Sequence, residues 1–295
     1  MKKLTAIICL ALCALLCLSG MAVAESATPN VDAIKAAGKI VMLTNAAFPP
    51  FEYLGDELNE DGTAKVVGVD ADIAAEIAKD LAKKLWDTRK SYKFLCEAEL
   101  PEECVKRAIE GKEKRIFITD SGDNTTAGSE GDTLGILDLL LKANPAKKTC
   151  VAGITNDKIV NDLWNKKDGD RAHIDILGGL DVTVKSHGEI LGWTKEIIGR
   201  SLAVSIGNVD AVFTELRSAF IEIGNFEKAN VDLLSYEIVV VKLGYLFTEL
   251  KPYADRELFA LSDGASCVEL SRLGLTKILR PMYPLDEFDF DPTKE

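Results

Sequence analysis

Short runs of β-branched and apolar residues alternate along the chain with segments whose apolar side chains recur every three or four positions. The run "KIVMLT" at 39–44 predicts a short buried strand. "FPPFEY" predicts an extended turn, because each proline restricts the residue before it. "VVGV" predicts a second strand. After it, Asp70 or Asp72 can cap an amphipathic helix with Ile73, Ile77 and Leu81 on its apolar face. "LAKKLWDTRKSYKF" predicts a helix and "LPEECVKRAIEG" another, with Pro101 near its first turn.

"KRIFIT" then predicts a strand, and an acidic, glycine-rich loop, "TDSGDNTTAGSEGD" at 119–132, follows it. "TLGILDLLLKA" predicts an apolar-faced helix capped by Asp132. "TCVAGI" and "NDKIVNDLWNK" repeat strand and helix, and "AHIDILGG", "EILGWTKEII" and "LAVSIGNVDAVFTEL" predict further strands with turns. "YEIVVVK" and "YLFTELKPYA" form one more strand–helix pair, followed by "LFALSD". The two prolines around an aromatic in "RPMYPLD" predict a chain-end strap over the core. Alternating strands and helices imply an α/β layered domain. There is no internal repeat and no low-complexity tract.

The chain opens with Lys2 and Lys3, an apolar stretch to about Leu18, and the triplet Ala22-Val23-Ala24. This pattern predicts a signal peptide cleaved after Ala24 and an exported protein, periplasmic or extracellular, with no stable membrane span once the leader is removed. Four cysteines then remain: Cys96, Cys104, Cys150 and Cys267. Three complete pairings are open to them, and buried or unpaired thiols are the simpler reading. A net charge of −12 disfavours nucleic acid or an anionic membrane as partner. A hydrophobic content of 47% excludes a disordered chain.

The acidic loop admits two readings. Asp120, Asp123 and Asn124 sit where a strand's C-terminal end meets a helix, the usual place for sites in α/β domains. They can face a cleft and hold a hard cation or polar substrate groups. They are equally ordinary turn formers among glycines. A phosphate loop is excluded, because no Gly-Lys-Ser/Thr is present. His187 can polarise a substrate or serve as a turn residue. Lys242, at a strand end, can neutralise a substrate carboxylate or pair internally. The sequence contains no HExxH, HxH or CxxC, and its two histidines, His173 and His187, cannot build a His-rich zinc centre.

Residues 1 to about 80 resemble the start of the first lobe of periplasmic amino-acid-binding proteins of ABC transporters. That resemblance implies a ligand-facing role for Asn45, Phe48 and Phe51, with Tyr53 nearby. The arginine that clamps the ligand's α-carboxylate in that family, and its second lobe, have no match further along.

From about residue 81 to 290 the chain resembles the C-terminal domain of the MlrC-like family, the microcystinase C type metallopeptidases. The resemblance is carried, in order, by "DSGDNTTAGSEGD", Gly178-Gly179, "HGEIL", "VFTELR", "VVVK" and "RPMYPLD". Leu243, where the family tends to have serine, and "DGASC" at 263–267, in place of a Pro-Gly turn, depart from its pattern. The resemblance implies zinc chemistry whose ligands belong to a preceding domain not matched here.

The expected organisation is a signal peptide (1–24), a partial βα fragment of a solute-binding lobe (25–80) and an MlrC-like C-terminal domain (81–295). The expected protein is a chimera that holds no zinc and does not hydrolyse by itself. Its expected partner is a zinc-bearing MlrC-like N-terminal domain or a small peptide substrate. An exported amino-acid receptor, or a hydrolase completed by that partner, are the alternatives, and whether the chain is an enzyme stays open.

Overall fold

The computed structural model describes residues 47–48, 52–59 and 62–291. The expected leader, the "KIVMLT" strand, Asn45 and Phe51 lie outside these residues. The chain divides into two compact units, residues 1–90 with 291–295, and residues 91–290.

In the first unit β1 (Ala47–Phe48), β2 (Glu52–Leu58) and β3 (Ala64–Val67) form an antiparallel sheet in that order. Of the expected "FPPFEY" turn, Phe48 belongs to β1 and Glu52 and Tyr53 to β2, while residues 49–51 lie outside the described residues. One helix, α1 (Val69–Thr88), replaces the two expected on either side of residue 81. Its run of alanine, leucine, lysine and glutamate contains no breaker, so helix propensity carries it through. Gly68 is the N-cap, and Asp70 and Asp72 lie inside the first turn, where their charge favours the helix N-terminus. No residue of α1 is buried, and the expected apolar face is exposed at Ile73, Ile77 and Leu81.

The second unit is built on a nine-stranded sheet. Its strands are β4 (Glu97–Glu99), β5 (Ile116–Asp120), β6 (Thr149–Thr155), β7 (Arg171–Ile174), β8 (Leu180–Leu191), β9 (Ile197–Ile206), β10 (Val209–Thr214), β11 (Ile238–Val241) and β12 (Arg256–Ala260). The spatial order is β4-β12-β5-β11-β6-β10-β9-β8-β7. The first six strands in that order pair in parallel, and the last three continue as an antiparallel meander.

The central strands are covered on both faces, which is why "IFIT", "TCVAGI" and "IVVV" read as unbroken apolar runs. On one face Ile116, Ile118, Val151 and Val240 pack with α2 (Pro101–Glu110), α3 (Gly135–Ala143) and α4 (Asp157–Leu163). On the other, Phe117, Ala152, Val239 and Val241 pack with Phe226 of α5 (Ile223–Lys228) and with Leu246 and Leu250. Pro101 occupies the first turn of α2, where its missing N–H costs nothing. Asn156 caps α4 by accepting from the Ile159 N–H at 3.0 Å.

Three expectations need correction. The N-cap of α3 is Leu134, with no side-chain cap, so Asp132 does not cap it. "YLFTELKPYA" forms no α-helix but one 3-10 turn, Lys251–Tyr253, with Pro252 inside it. Leu246 and Leu250 are buried regardless, so the apolar spacing was real while its period was misread. The "RPMYPLD" segment is not packed into the core, because no described residue after Cys267 is buried. Polar contacts organise it instead: Arg280 pairs with Asp286, whose carboxylate also accepts from the Met282 N–H at 2.8 Å.

Because β9 runs antiparallel to both β10 and β8, the β8–β9 turn reaches the same edge as the C-terminal ends of the parallel strands. That edge therefore gathers the turn around Trp193 and the segments following β5, β6, β10, β11 and β12.

Candidate functional site

Three adjacent strands, β12, β5 and β11, end side by side. Asp120 closes β5, Lys242 directly follows β11, and Ser262 lies two residues beyond β12. After Asp120 the chain makes two short 3-10 turns, Ser121–Asp123 and Thr125–Ala127, before reaching α3. Asn124 stabilises the second, its Oδ1 accepting from the Thr126 N–H at 2.9 Å and from the Thr126 hydroxyl at 2.7 Å.

The loop carries Asp123 back over the sheet to Lys242. The Lys242 ammonium donates to Asp123 at 2.7 Å, to Asp120 at 3.1 Å and to the Thr133 carbonyl at 2.7 Å. Asp123 also accepts from the N–H groups of Gly131 (2.8 Å) and Thr133 (2.9 Å) and from the Thr133 hydroxyl (2.9 Å). Asp120 accepts from the Ser262 hydroxyl at 2.5 Å. The side chains of Lys242, Asp120 and Asp123 are only 2–3% exposed. Two buried carboxylates thus share one ammonium, with a hydroxyl as second donor to Asp120 and two N–H groups and a hydroxyl as further donors to Asp123. Burial alone would raise the Asp123 carboxyl, but the charge and hydrogen bond of Lys242, with the Thr133 donors, hold it below the usual aspartate range.

A second set of contacts locks the loop to the segment after β12. The Ser266 hydroxyl donates to the Ser121 carbonyl and accepts from the Asn124 N–H, both at 2.8 Å. The Gly122 N–H donates to the Ser262 hydroxyl at 2.8 Å. The backbones approach so closely that a Cβ on Gly122 would lie 2.2 Å from the Ser262 carbonyl oxygen. One on Gly264, whose φ is +149°, would lie 2.1 Å from the Gly122 carbonyl oxygen. "DGASC", a departure from the resembled pattern, is thus the clamp that seats the acidic loop.

The structure divides the residues expected to face a cleft together. Asp120 borders a cavity of about 490 Å³ that Thr133, Ser262 and Arg272 also line, whereas Asp123 and Asn124 do not line it. Lys242 joins Asp120 and Asp123, in the internal pairing that the sequence left open. His187 does not join them. It lies on β8, four strands from β11, or about 19 Å at the usual strand spacing. There its Nδ1 is 2.9 Å from an Asp168 carboxylate oxygen, its ring packs edge-on against Trp164, and its buried Nε2 has no partner. Phe48 lies in β1.

The sequence reading missed Thr133, Ser262, Ser266 and the Gly131 N–H. Only the serines after "LFAL" offered a signal, as hydroxyls placed just beyond a strand end.

The donor set does not fit zinc. Among the described residues no group of three His, Cys, Asp or Glu side chains could hold a metal ion. The Lys242 ammonium already fills the place a cation would take between Asp120 and Asp123. His173, for its part, pairs with Asp181 across β7 and β8 at 2.9 Å.

The sequence matches the family model described as MlrC C-terminus over residues 118–277, more than half of the chain. The chain belongs to this family. The matched MlrC C-terminus region takes in Asp120, Asp123, Thr133, Lys242 and both serines of the clamp. The fold is also similar to the crystal structure of a "Putative metallopeptidase" from Mesorhizobium sp. BNC1, with a TM-score of 0.62 and 17% identity. That alignment covers 74% of this chain and 46% of the Mesorhizobium protein, so the chain spans less than half of that relative's length. No curated protein matches the sequence.

Proposed function

We propose that this chain supplies the C-terminal domain of an MlrC-type metallopeptidase and does not hydrolyse peptides by itself. Zinc-dependent hydrolysis needs three protein ligands and one open coordination position. The observation that carries the reading is the ammonium of Lys242 between the two loop carboxylates, with no metal-fitting group among the described residues. In this reading Asp120 and Asp123 are not general bases. They fix the loops that form the rim at the C-terminal edge of the sheet. The zinc comes from a family N-terminal domain on another polypeptide, and the substrate is a small peptide.

The reading extends to the rest of the chain. Residues 1–24 direct export, and residues 25–80 are a fragment of a solute-binding lobe joined to the peptidase-family domain, making the whole a chimera. The test is zinc content and peptide cleavage by the purified protein alone, then with a family N-terminal domain added in trans. Substoichiometric zinc and no chelator-sensitive cleavage by the protein alone are expected, with cleavage appearing in trans. Stoichiometric zinc with cleavage by the protein alone would overturn it.

A further inference from the structure

Next to the acidic loop the rim holds a cavity of about 240 Å³, bounded by the β8–β9 turn, the segment after β10 and Glu249. Its apolar lining includes Leu191, Trp193 and Ile221, and the Trp193 side chain is exposed. Four charged side chains also line it, and two of them neutralise each other: Lys195 pairs with Glu222 at 3.1 Å. The other two are unequally engaged. Arg217 makes one hydrogen bond, from Nη1 to the Gly128 carbonyl of the acidic loop at 3.2 Å, and has no carboxylate partner among the described residues. Glu249 has no ion-pair or hydrogen-bond partner among the described residues.

From this we infer that the cavity binds the α-ammonium and α-carboxylate of an apolar amino acid, with Arg217 taking the carboxylate, Glu249 the ammonium and Trp193 packing on the side chain. A guanidinium that has used one N–H keeps a fork of donors suited to a carboxylate. A dianion such as phosphate is disfavoured, because the Glu249 carboxylate lines the same space and the four charges of the lining already balance. The volume lies below the roughly 300 Å³ at which pockets for drug-sized molecules begin, which suits one residue rather than a long peptide. "VFTELR", which carries Arg217, thereby acquires a role that the buried ion cluster did not give it.

Only a free amino acid carries both charges on one residue, whereas the end of a peptide carries one of them. The inference rests on the peptidase-family reading only for why an amino acid released by hydrolysis would be found at this rim, since the binding requires no zinc. Failure of cleavage in trans therefore leaves it standing, and failure of binding leaves the peptidase reading standing.

The experiment is ligand-observed NMR titration of the full chain with L-leucine, leucine amide, N-acetyl-leucine and Leu-Leu. Leucine should bind saturably. Removing either charge should weaken binding about tenfold or more, the usual scale for a lost charge-assisted hydrogen bond. Leu-Leu, whose ammonium and carboxylate lie on different residues, should bind more weakly than leucine, and equal binding would count against the inference. Arg217→Gln should abolish binding, whereas Arg171→Gln, on β7, should not change it. Because Arg217 also holds the Gly128 carbonyl, Glu249→Gln is the second probe: leucine and N-acetyl-leucine should then bind alike. No saturable leucine binding, or Arg217→Gln binding like the unaltered protein, would overturn the inference. So would continued discrimination against N-acetyl-leucine by Glu249→Gln.

Discussion

The Lys242 ammonium lies 2.7 Å from Asp123, although 119 positions separate the two residues in the chain and both side chains are almost wholly buried. Their pairing ties the end of β11 to the loop after β5. Lys242→Met would leave two buried carboxylates without a countercharge, and breaking a buried pair in this way typically costs about 3–5 kcal/mol. A clear fall in the urea midpoint is expected. Adding Asp123→Asn should recover part of it, because one uncompensated charge is then removed. A shift of Lys242→Met below about 1 kcal/mol, the range of an exposed pair, would show that the cluster is not a stabilising element.

Acid should weaken the same cluster. The Asp123 carboxyl is depressed in the folded state, so its contribution is fully present above the ordinary aspartate value of 3.8. It is lost as pH falls through the lower folded value. Stability measured from pH 6 downward should decline more steeply in the unaltered protein than in Asp123→Asn. Glu97, Glu215 and Asp286 are also held low by arginine partners. Those pairs are at the surface, so working at about 1 M salt, where the Debye length is about 3 Å, isolates the buried contribution. Parallel curves for the two proteins would contradict this assignment.

Two glycines of the acidic loop should respond differently to alanine. Gly122 has no room, since its Cβ would meet backbone oxygen at 2.2 Å. Gly128 has a φ of +99° but nothing within 4 Å, so alanine there meets only backbone strain of about 1–2 kcal/mol. Gly122→Ala should cost more than Gly128→Ala and should separate the loop from Ser262 and Ser266. Thermal denaturation of the pair tests the order, and equal losses would mean that the two backbones part easily.

These contacts mark where the sequence stops being informative. "IFITD" and "IVVV" announce buried strands because burial on two faces demands apolar residues at every position. The period of the acidic loop's neighbours likewise gives α2, α3 and α4. Which strands become neighbours is a different matter. Nothing local in "VVVK" indicates that β11 inserts between β5 and β6, and only that insertion brings Lys242 to Asp120. The misread "YLFTELKPYA" shows the complementary failure, with Leu246 and Leu250 at helical spacing but buried by tertiary packing of an irregular segment. Leu243 illustrates it again: a substitution within the resembled motif simply joins the apolar cluster beneath α5.

The four cysteines outside the expected leader are unpaired, and three of them are buried. Burial raises the Cys104 thiol to about 12, and the half-buried Cys96 to about 11 with help from the Glu257 carboxylate. Thiolate is therefore scarce at these two positions at neutral pH. The native protein should react slowly with a thiol reagent, at Cys96 first, and the denatured protein should yield all four thiols without prior reduction. Fewer than four after denaturation would reveal a disulfide.

The segment before residue 90 should be the first part of the chain to yield to protease. Residues 91–290 form a compact unit with two apolar clusters, one on each face of a nine-stranded sheet. In the preceding unit α1 buries none of its residues and leaves Ile73, Ile77, Leu81 and Leu85 exposed. A helix in a protein draws most of its stability from packing an apolar face, and none of α1 is buried among the described residues. Local opening should therefore be cheap before residue 90 and costly after it. Limited proteolysis of the full protein should cut first between 69 and 90 and leave a resistant fragment starting near Ser91. That fragment should keep the cooperative unfolding transition of the whole chain. The helix runs unbroken past residue 81, the boundary expected from the sequence, so the backbone itself marks no join there. First cuts within 116–260, or loss of cooperative unfolding from the fragment, would show that the first unit is needed to stabilise the sheet.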